Sequence, residues 1–143
     1  MFLSDLISFI KDTQKEKSQK AFPWADTELG HYLSWAFSKN CLFVESDEKG
    51  INGLLIAYPI NWVFTNDIKS LLPSNAEFTP EQENEKHLCI MDGIFNTKEA
   101  RKNITIKFTK RFPNWQNQTK WAVRKGNVTE LNNRYIQLTG NIL

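Results

Sequence analysis

Cysteine is scarce in this 143-residue sequence, which has Cys41 and Cys89 alone. Two cysteines cannot build a disulfide framework, and no Cys/His cluster has zinc-ligand spacing, so a stapled secreted scaffold and a structural zinc site are excluded. Long hydrophobic runs are missing too: no stretch approaches the roughly 18 apolar residues that a helical membrane span needs. Nor is charge of one sign in excess, since 18 Lys and Arg against 16 Asp and Glu leave a net charge of +2. That balance argues against a dedicated nucleic-acid binder. With aromatics spread along the chain, it also argues against wholesale disorder. Internal repeats and low-complexity segments are absent. The opening segment lacks the order of a signal peptide, because Asp5 interrupts its apolar residues and Lys11, Lys15, Lys17 and Lys20 follow them. A reducing cytoplasm is therefore the expected compartment, or a virion if the gene is a phage's. The triplets at Asn103, Asn117 and Asn127 are read as chance matches to a glycosylation signal.

Aromatic residues offset a modest hydrophobic fraction of 41%: ten Phe, five Trp and three Tyr each bury a large area. The length fits one domain, residues 1–143, with a real core. Asn, Lys and Ile number 14, 14 and 12, and Lys outnumbers Arg 14 to 4. AT-rich coding produces that bias, as in a low-GC bacterium or its phage, and it says nothing of mechanism.

Leu3, Leu6, Ile7 and Ile10 recur at helical spacing with Ser4 placed to cap, so residues 1–20 are read as a helix and a polar loop. Asp26 or Thr27 caps a second helix whose inward stripe is Leu29, Leu33, Ala36 and Phe37. Residues 41–44 and 51–60 read as a strand hairpin across Asp47-Glu48-Lys49-Gly50. Pro59, Pro73 and Pro80 bound an irregular region, and residues 73–86 form an acidic surface loop with Glu77, Glu81, Glu83 and Glu85. Leu88-Cys89-Ile90-Met91 is almost wholly apolar, as a central strand is. Asn96 with Glu99 fits a capping box, and Ala100, Ile104 and Phe108 supply the buried stripe of a helix ending at Phe112-Pro113. Strands are expected at 121–124 and, after a Gly126-Asn127 turn, at 134–138. The whole is an α/β (α+β) domain.

A strand hairpin, a central apolar strand, a helix and a further strand resemble the layout of the GNAT superfamily of acyltransferases, which implies a single GNAT-like domain with a mixed, mostly antiparallel sheet flanked by helices. In that family closely spaced glycines before the helix let backbone N–H groups hold the pyrophosphate of acetyl-CoA. The stretch here, Gly93-Ile94-Phe95-Asn96-Thr97-Lys98-Glu99-Ala100, has Gly93 alone. From about Thr27 to Arg124 the chain is similar in pattern to a narrower branch, the bacterial toxin-activating lysine acyltransferases. Those enzymes take acyl chains from acyl carrier protein and lack the glycine loop. The likeness is carried by the helix from Leu29 to Phe37, the hairpin, the long polar insert, and Cys89-Ile90-Met91-Asp92. It continues through Lys110-Arg111-Phe112-Pro113 and Ala122-Val123-Arg124. It implies that Asp92 is catalytic and that acyl-CoA or acyl carrier protein is the donor. The family pairs this Asp with a His shortly before the first helix. The matching Lys20-Ala21-Phe22-Pro23-Trp24 has none, and the nearest is His31, inside the second helix.

Asp92, at the end of an apolar strand, is the candidate acid or base, since desolvation raises a carboxyl pKa. The competing reading is a strand-end Asp bonded to a backbone N–H. His31 is a candidate partner for it if the preceding segment folds back. His87 and Cys89 share a strand face by alternation, and both cysteines read as small buried hydrophobes. Charge is segregated: residues 98–125 hold nine bases against Glu99, and residues 45–92 hold nine acids against three bases. Lys98, Arg101, Lys102, Lys107, Lys110 and Arg111 form a basic helix suited to phosphopantetheine, an acidic or carrier protein, or less well a nucleic-acid backbone. The competing reading is two solvated faces that pair within or between subunits. Two functions stand: an acyltransferase moving an acyl group from a thioester carrier to an amine, and a non-catalytic GNAT-like protein of a phage or mobile element acting in an assembly. No metal site is expected.

Overall fold

The apolar periodicities resolve, in a computed structural model describing residues 2–17, 26–78, 87–124 and 126–134, into helices on both faces of one sheet. Helices α1 (Phe2–Lys17) and α2 (Asp26–Ser38) precede strands β1 (Leu42–Asp47), β2 (Gly50–Ile60) and β3 (His87–Phe95). Helix α3 (Lys98–Arg111) and strands β4 (Thr119–Arg124) and β5 (Asn127–Leu131) follow. The strand order across the sheet is β1-β2-β3-β4-β5, antiparallel except for the parallel β3–β4 pair. A parallel neighbour requires a crossover, and α3 is that crossover. The mixed, mostly antiparallel α/β architecture and the order of its elements match the sequence reading.

The two helical layers are identified by their contacts. Phe43 of β1 meets the rings of Phe108 and Phe112 on the α3 face. Tyr58 of β2 meets Trp35 of α2 on the other face. Between these layers β2 is buried continuously from Gly53 to Ile60. Gly53 allows α3 to approach: a Cβ there would lie 2.7 Å from Ile104 Cδ1 and 3.0 Å from Ala100 Cβ. The predicted α3 stripe, Ala100, Ile104 and Phe108, is buried. Helix α1 lies along α2, where Leu3 and Ile7 approach Gly30, and buries Leu6 and Ile10.

Several boundaries differ from the sequence reading. Thr97, not Asn96, caps α3, its hydroxyl accepting from the Ala100 N–H at 3.0 Å. Pro59 lies within β2 rather than bounding a loop. It is tolerated because β1 pairs no further than Ala57, whose N–H reaches the Cys41 carbonyl, and beyond it the segment around Ala76 engages position 59 through its carbonyl, which accepts the Glu77 N–H at 2.9 Å. The strand after the Gly126 turn is Asn127–Leu131, immediately beyond it. Of the predicted strand 134–138, Arg134 is helical and the rest lies outside the described residues. The acidic loop is structured at its start, with a 3-10 turn at Pro73–Asn75 and a bridge from Ala76 to Ile60, and 79–86 lie outside the described residues.

Candidate functional site

Phe37 was expected in the inward stripe of α2, yet it is 65% exposed, and Tyr32 takes its place beside Leu29, Leu33 and Ala36. The cause is the way α2 stops. Asn40 adopts φ +57, the Asn40 N–H bonds the Phe37 carbonyl, and the Cys41 N–H bonds the Ala36 carbonyl. This is a Schellman ending, with Asn in the left-handed position that glycine usually takes. It turns the chain at once into β1 and leaves Phe37 at the rim of a cleft.

That cleft, of about 360 Å³, is lined by Phe37, Asn40, Leu42–Val44, Lys107, Lys110 and Arg111. Its floor is the outer edge of β1, the end α2 contributes one wall, and the last two turns of α3 contribute the other. Two of its cations hold the walls together. Arg111 donates from Nε to the Asn40 carbonyl at 3.0 Å and from Nη2 to the Lys39 carbonyl at 3.4 Å. A cation at the last carbonyls of α2 is also favoured by the helix dipole. Lys107 donates to the Val44 carbonyl at 2.8 Å and pairs with Glu45, which also accepts from Asn103 at 2.9 Å. Burial pushes the Glu45 carboxyl up, but the hydrogen bonds from Lys107 and Asn103 and the charge of Lys107 outweigh it and hold it below the usual value. Lys110 is exposed on the same wall.

The six predicted basic residues therefore divide. Lys107, Lys110 and Arg111 come together at the cleft, whereas Lys98, Arg101 and Lys102 occupy the first turns of α3 and do not line it. Arg101 lies over the Phe95 ring, 5.7 Å from its centroid. The five-residue step from Lys102 to Lys107 turns the helix by about 140° at its usual pitch. A helical-wheel reading would have separated the two groups. Phe37, Asn40, Val44, Glu45 and Asn103 were not legible as site residues, because each acts through a cap or a cross-element contact.

The predicted acid-base candidates sit elsewhere. Asp92 lies on β3 opposite Ile56, beside a bulge at Met91 where the register steps from Asp92 to Ile90. Its side chain is outside the described atoms. His31 is exposed on α2. His87 accepts a hydrogen bond at Nδ1 from the Trp121 indole at 3.1 Å. Cys89 is fully buried, with its thiol 3.9 Å from the Met91 sulfur, and Cys41 is buried as well. A nucleophilic thiol needs access to substrate, which these lack. Among the described residues no group of three or more His, Cys, Asp or Glu has metal-binding proximity, and no helix is long and apolar enough to cross a membrane.

Strand β4 carries a second unusual lysine. Lys120 is 2% exposed. Its amine donates to the Trp115 carbonyl at 2.7 Å and to Asn133 Oδ1, and lies over the Trp115 ring. Burial pushes this amine below the usual lysine range, and the charge of Glu130 opposes that only in part. No family model, no curated protein and no solved structure matches this chain.

Proposed function

We propose that this chain is a GNAT-like domain that works by binding, docking an acidic protein partner within an assembly at the cleft between α2, β1 and α3. The observation that carries the reading is the lining: three cations and an exposed Phe37 beside a sheet edge, with no carboxylate among the lining residues. Clefts lined by one sign of charge concentrate partners of the other. Titration of the purified protein with polyglutamate and with an acidic carrier protein tests it. Saturable binding that Lys110→Glu weakens about ten-fold, and Lys102→Glu leaves nearly unchanged, supports a local site. Equal effects of the two reversals, or no binding, overturn it.

A second reading keeps the acyltransferase relationship, with Asp92 as acid or base and acyl-CoA or acyl carrier protein as donor. It is favoured by one feature of β3 and β4. Their parallel pairing covers only His87–Cys89 against Thr119–Trp121, and Asp92 follows on the stretch of β3 that β4 no longer accompanies. An unpaired space between parallel strands, beside a crossover helix, suits an extended ligand. Calorimetric titration with acetyl-CoA, long-chain acyl-CoA and acylated carrier protein decides between the two. Donor binding that Asp92→Asn alters and Lys110→Glu spares favours the enzyme.

A further inference from the structure

The outer edge of β1 has a definite hydrogen-bonding pattern. The Cys41 carbonyl faces β2, where it accepts from Ala57, so by alternation Phe43 also faces β2 while Leu42 and Val44 direct their N–H and C=O groups outward. Lys107 takes the Val44 carbonyl. Among the described residues the Leu42 N–H and C=O and the Val44 N–H have no partner, and β1 has no neighbouring strand on this side. These three groups lie on the floor of the cationic cleft, between Phe37 on one wall and Lys110 on the other.

We infer that the cleft takes an extended acidic segment of a partner protein as an added strand on β1. This rests on the binding reading above and names its partner chemistry and mode. Strand addition satisfies the open edge groups with backbone hydrogen bonds, and pockets on alternate sides supply selectivity. A peptide in this position has side chains alternating between two walls of different character. One wall offers the exposed Phe37 ring to an apolar residue. The other offers Lys110, and Lys107 once a peptide N–H replaces it at the Val44 carbonyl, to a carboxylate. Glu45 keeps Asn103 when Lys107 turns away, so the exchange leaves no carboxylate without a partner. Alternating acidic and apolar residues are the pattern this edge selects.

The probe is a capped octapeptide of alternating Glu and Val, with a Lys-Val peptide as the charge control. Two further Glu-Val peptides carry N-methyl groups on all Glu or on all Val residues. Binding is followed by titration, and the amides of Leu42 and Val44 by hydrogen exchange in the full-length protein. Strand addition is expected to give saturable Glu-Val binding, weakened about ten-fold by Lys110→Glu, with slowed exchange at the Leu42 and Val44 amides. N-methylation of one alternate set should abolish binding while the other set spares it, because only every second N–H of an added strand faces its neighbour. Equal binding of both N-methylated peptides, with Leu42 exchange unchanged, would overturn strand addition while leaving anionic docking in place. Polyglutamate binding without Glu-Val binding has the same meaning. Failure of polyglutamate and Glu-Val alike would overturn both.

Discussion

Lys107 and Lys120 belong to the same basic stretch, and each donates to a backbone carbonyl and to a side-chain oxygen. Their surroundings differ in every other respect. Lys107 is 47% exposed, bridges α3 to the edge of β1, and meets a carboxylate. Lys120 is buried under the Trp115 turn, and both of its hydrogen-bond acceptors are uncharged. Burying the charged form of Lys120 carries a desolvation cost that two neutral oxygens and the charge of Glu130 offset only in part. The first region is therefore a solvated cationic edge open to a partner. The second is a structural clasp joining the Trp115–Asn117 turn, β4 and Asn133, two residues beyond β5. Counting charges along the sequence places both lysines in one patch, and only packing separates them.

The contrast is broken most directly by truncation. Lys120→Ala removes a buried stem and takes a donor from the Asn133 amide oxygen and from the Trp115 carbonyl, which keeps only the Gln118 N–H at 3.3 Å, so a loss of about 2–4 kcal/mol is expected in denaturant unfolding. Lys107→Ala, at a half-exposed pair, should cost less than about 1 kcal/mol. Similar losses in the two variants would erase the distinction.

Next in size, Gly53→Ala is expected to cost about 1–3 kcal/mol, because its Cβ drives into Ile104 and Ala100 and lifts α3 from β2. The displacement falls on the wall that carries Lys107 and Lys110, so polyglutamate binding should weaken with it. Unchanged stability and binding would mean that α3 is not seated as described. Thr97→Ala should cost about 1 kcal/mol through loss of the Ala100 cap. That change lies at the end of α3 remote from the cleft, and binding should survive it.

The smallest expected effects are those of pH. The folded pKa of Lys120 is lowered, so between it and the unfolded value the unfolded chain holds the extra proton. Wild-type stability should therefore rise relative to Lys120→Met as pH increases through that window toward the ordinary lysine value, and fall as pH decreases through it. Glu45 acts at the other end of the scale. Its contribution is present above the unfolded carboxyl pKa and is lost as pH falls through the lowered folded value. Glu45→Gln should lessen the acid-side decline in stability, and Lys120→Met should not. Urea titrations of the three proteins across pH separate these contributions, and a Glu45→Gln profile parallel to wild type would dissolve the edge half of the comparison.

Much of the architecture was legible in the residues. The alternation and apolar runs of Leu88–Met91, the spacing of Ala100, Ile104 and Phe108, and Gly50 at the hairpin each report a local preference that the fold satisfies. The misread positions share a cause. Phe37 has the right spacing for a buried stripe, but the Schellman ending at Asn40 redirects the chain before the core reaches it. Pro59 signals a break, but β2 runs through it because β1 has ended on that side and the segment around Ala76 draws on the Pro59 carbonyl, which a proline keeps.

By itself the sequence determined the element order, the β1–β2 hairpin, the inward stripe of α3 and the concentration of basic charge after residue 97. Those follow from periodicity, turn chemistry and composition, which act over a few residues. Tertiary structure alone decided which cations share a cleft, which lysine is buried, and which backbone groups of β1 remain open. The cleft depends on contacts between residues about 60 to 70 positions apart, such as Lys107 with Val44 and Arg111 with Asn40, and the burial of Lys120 on the packing of a turn and a strand end over it, 5 and 13 positions away; no local periodicity encodes either.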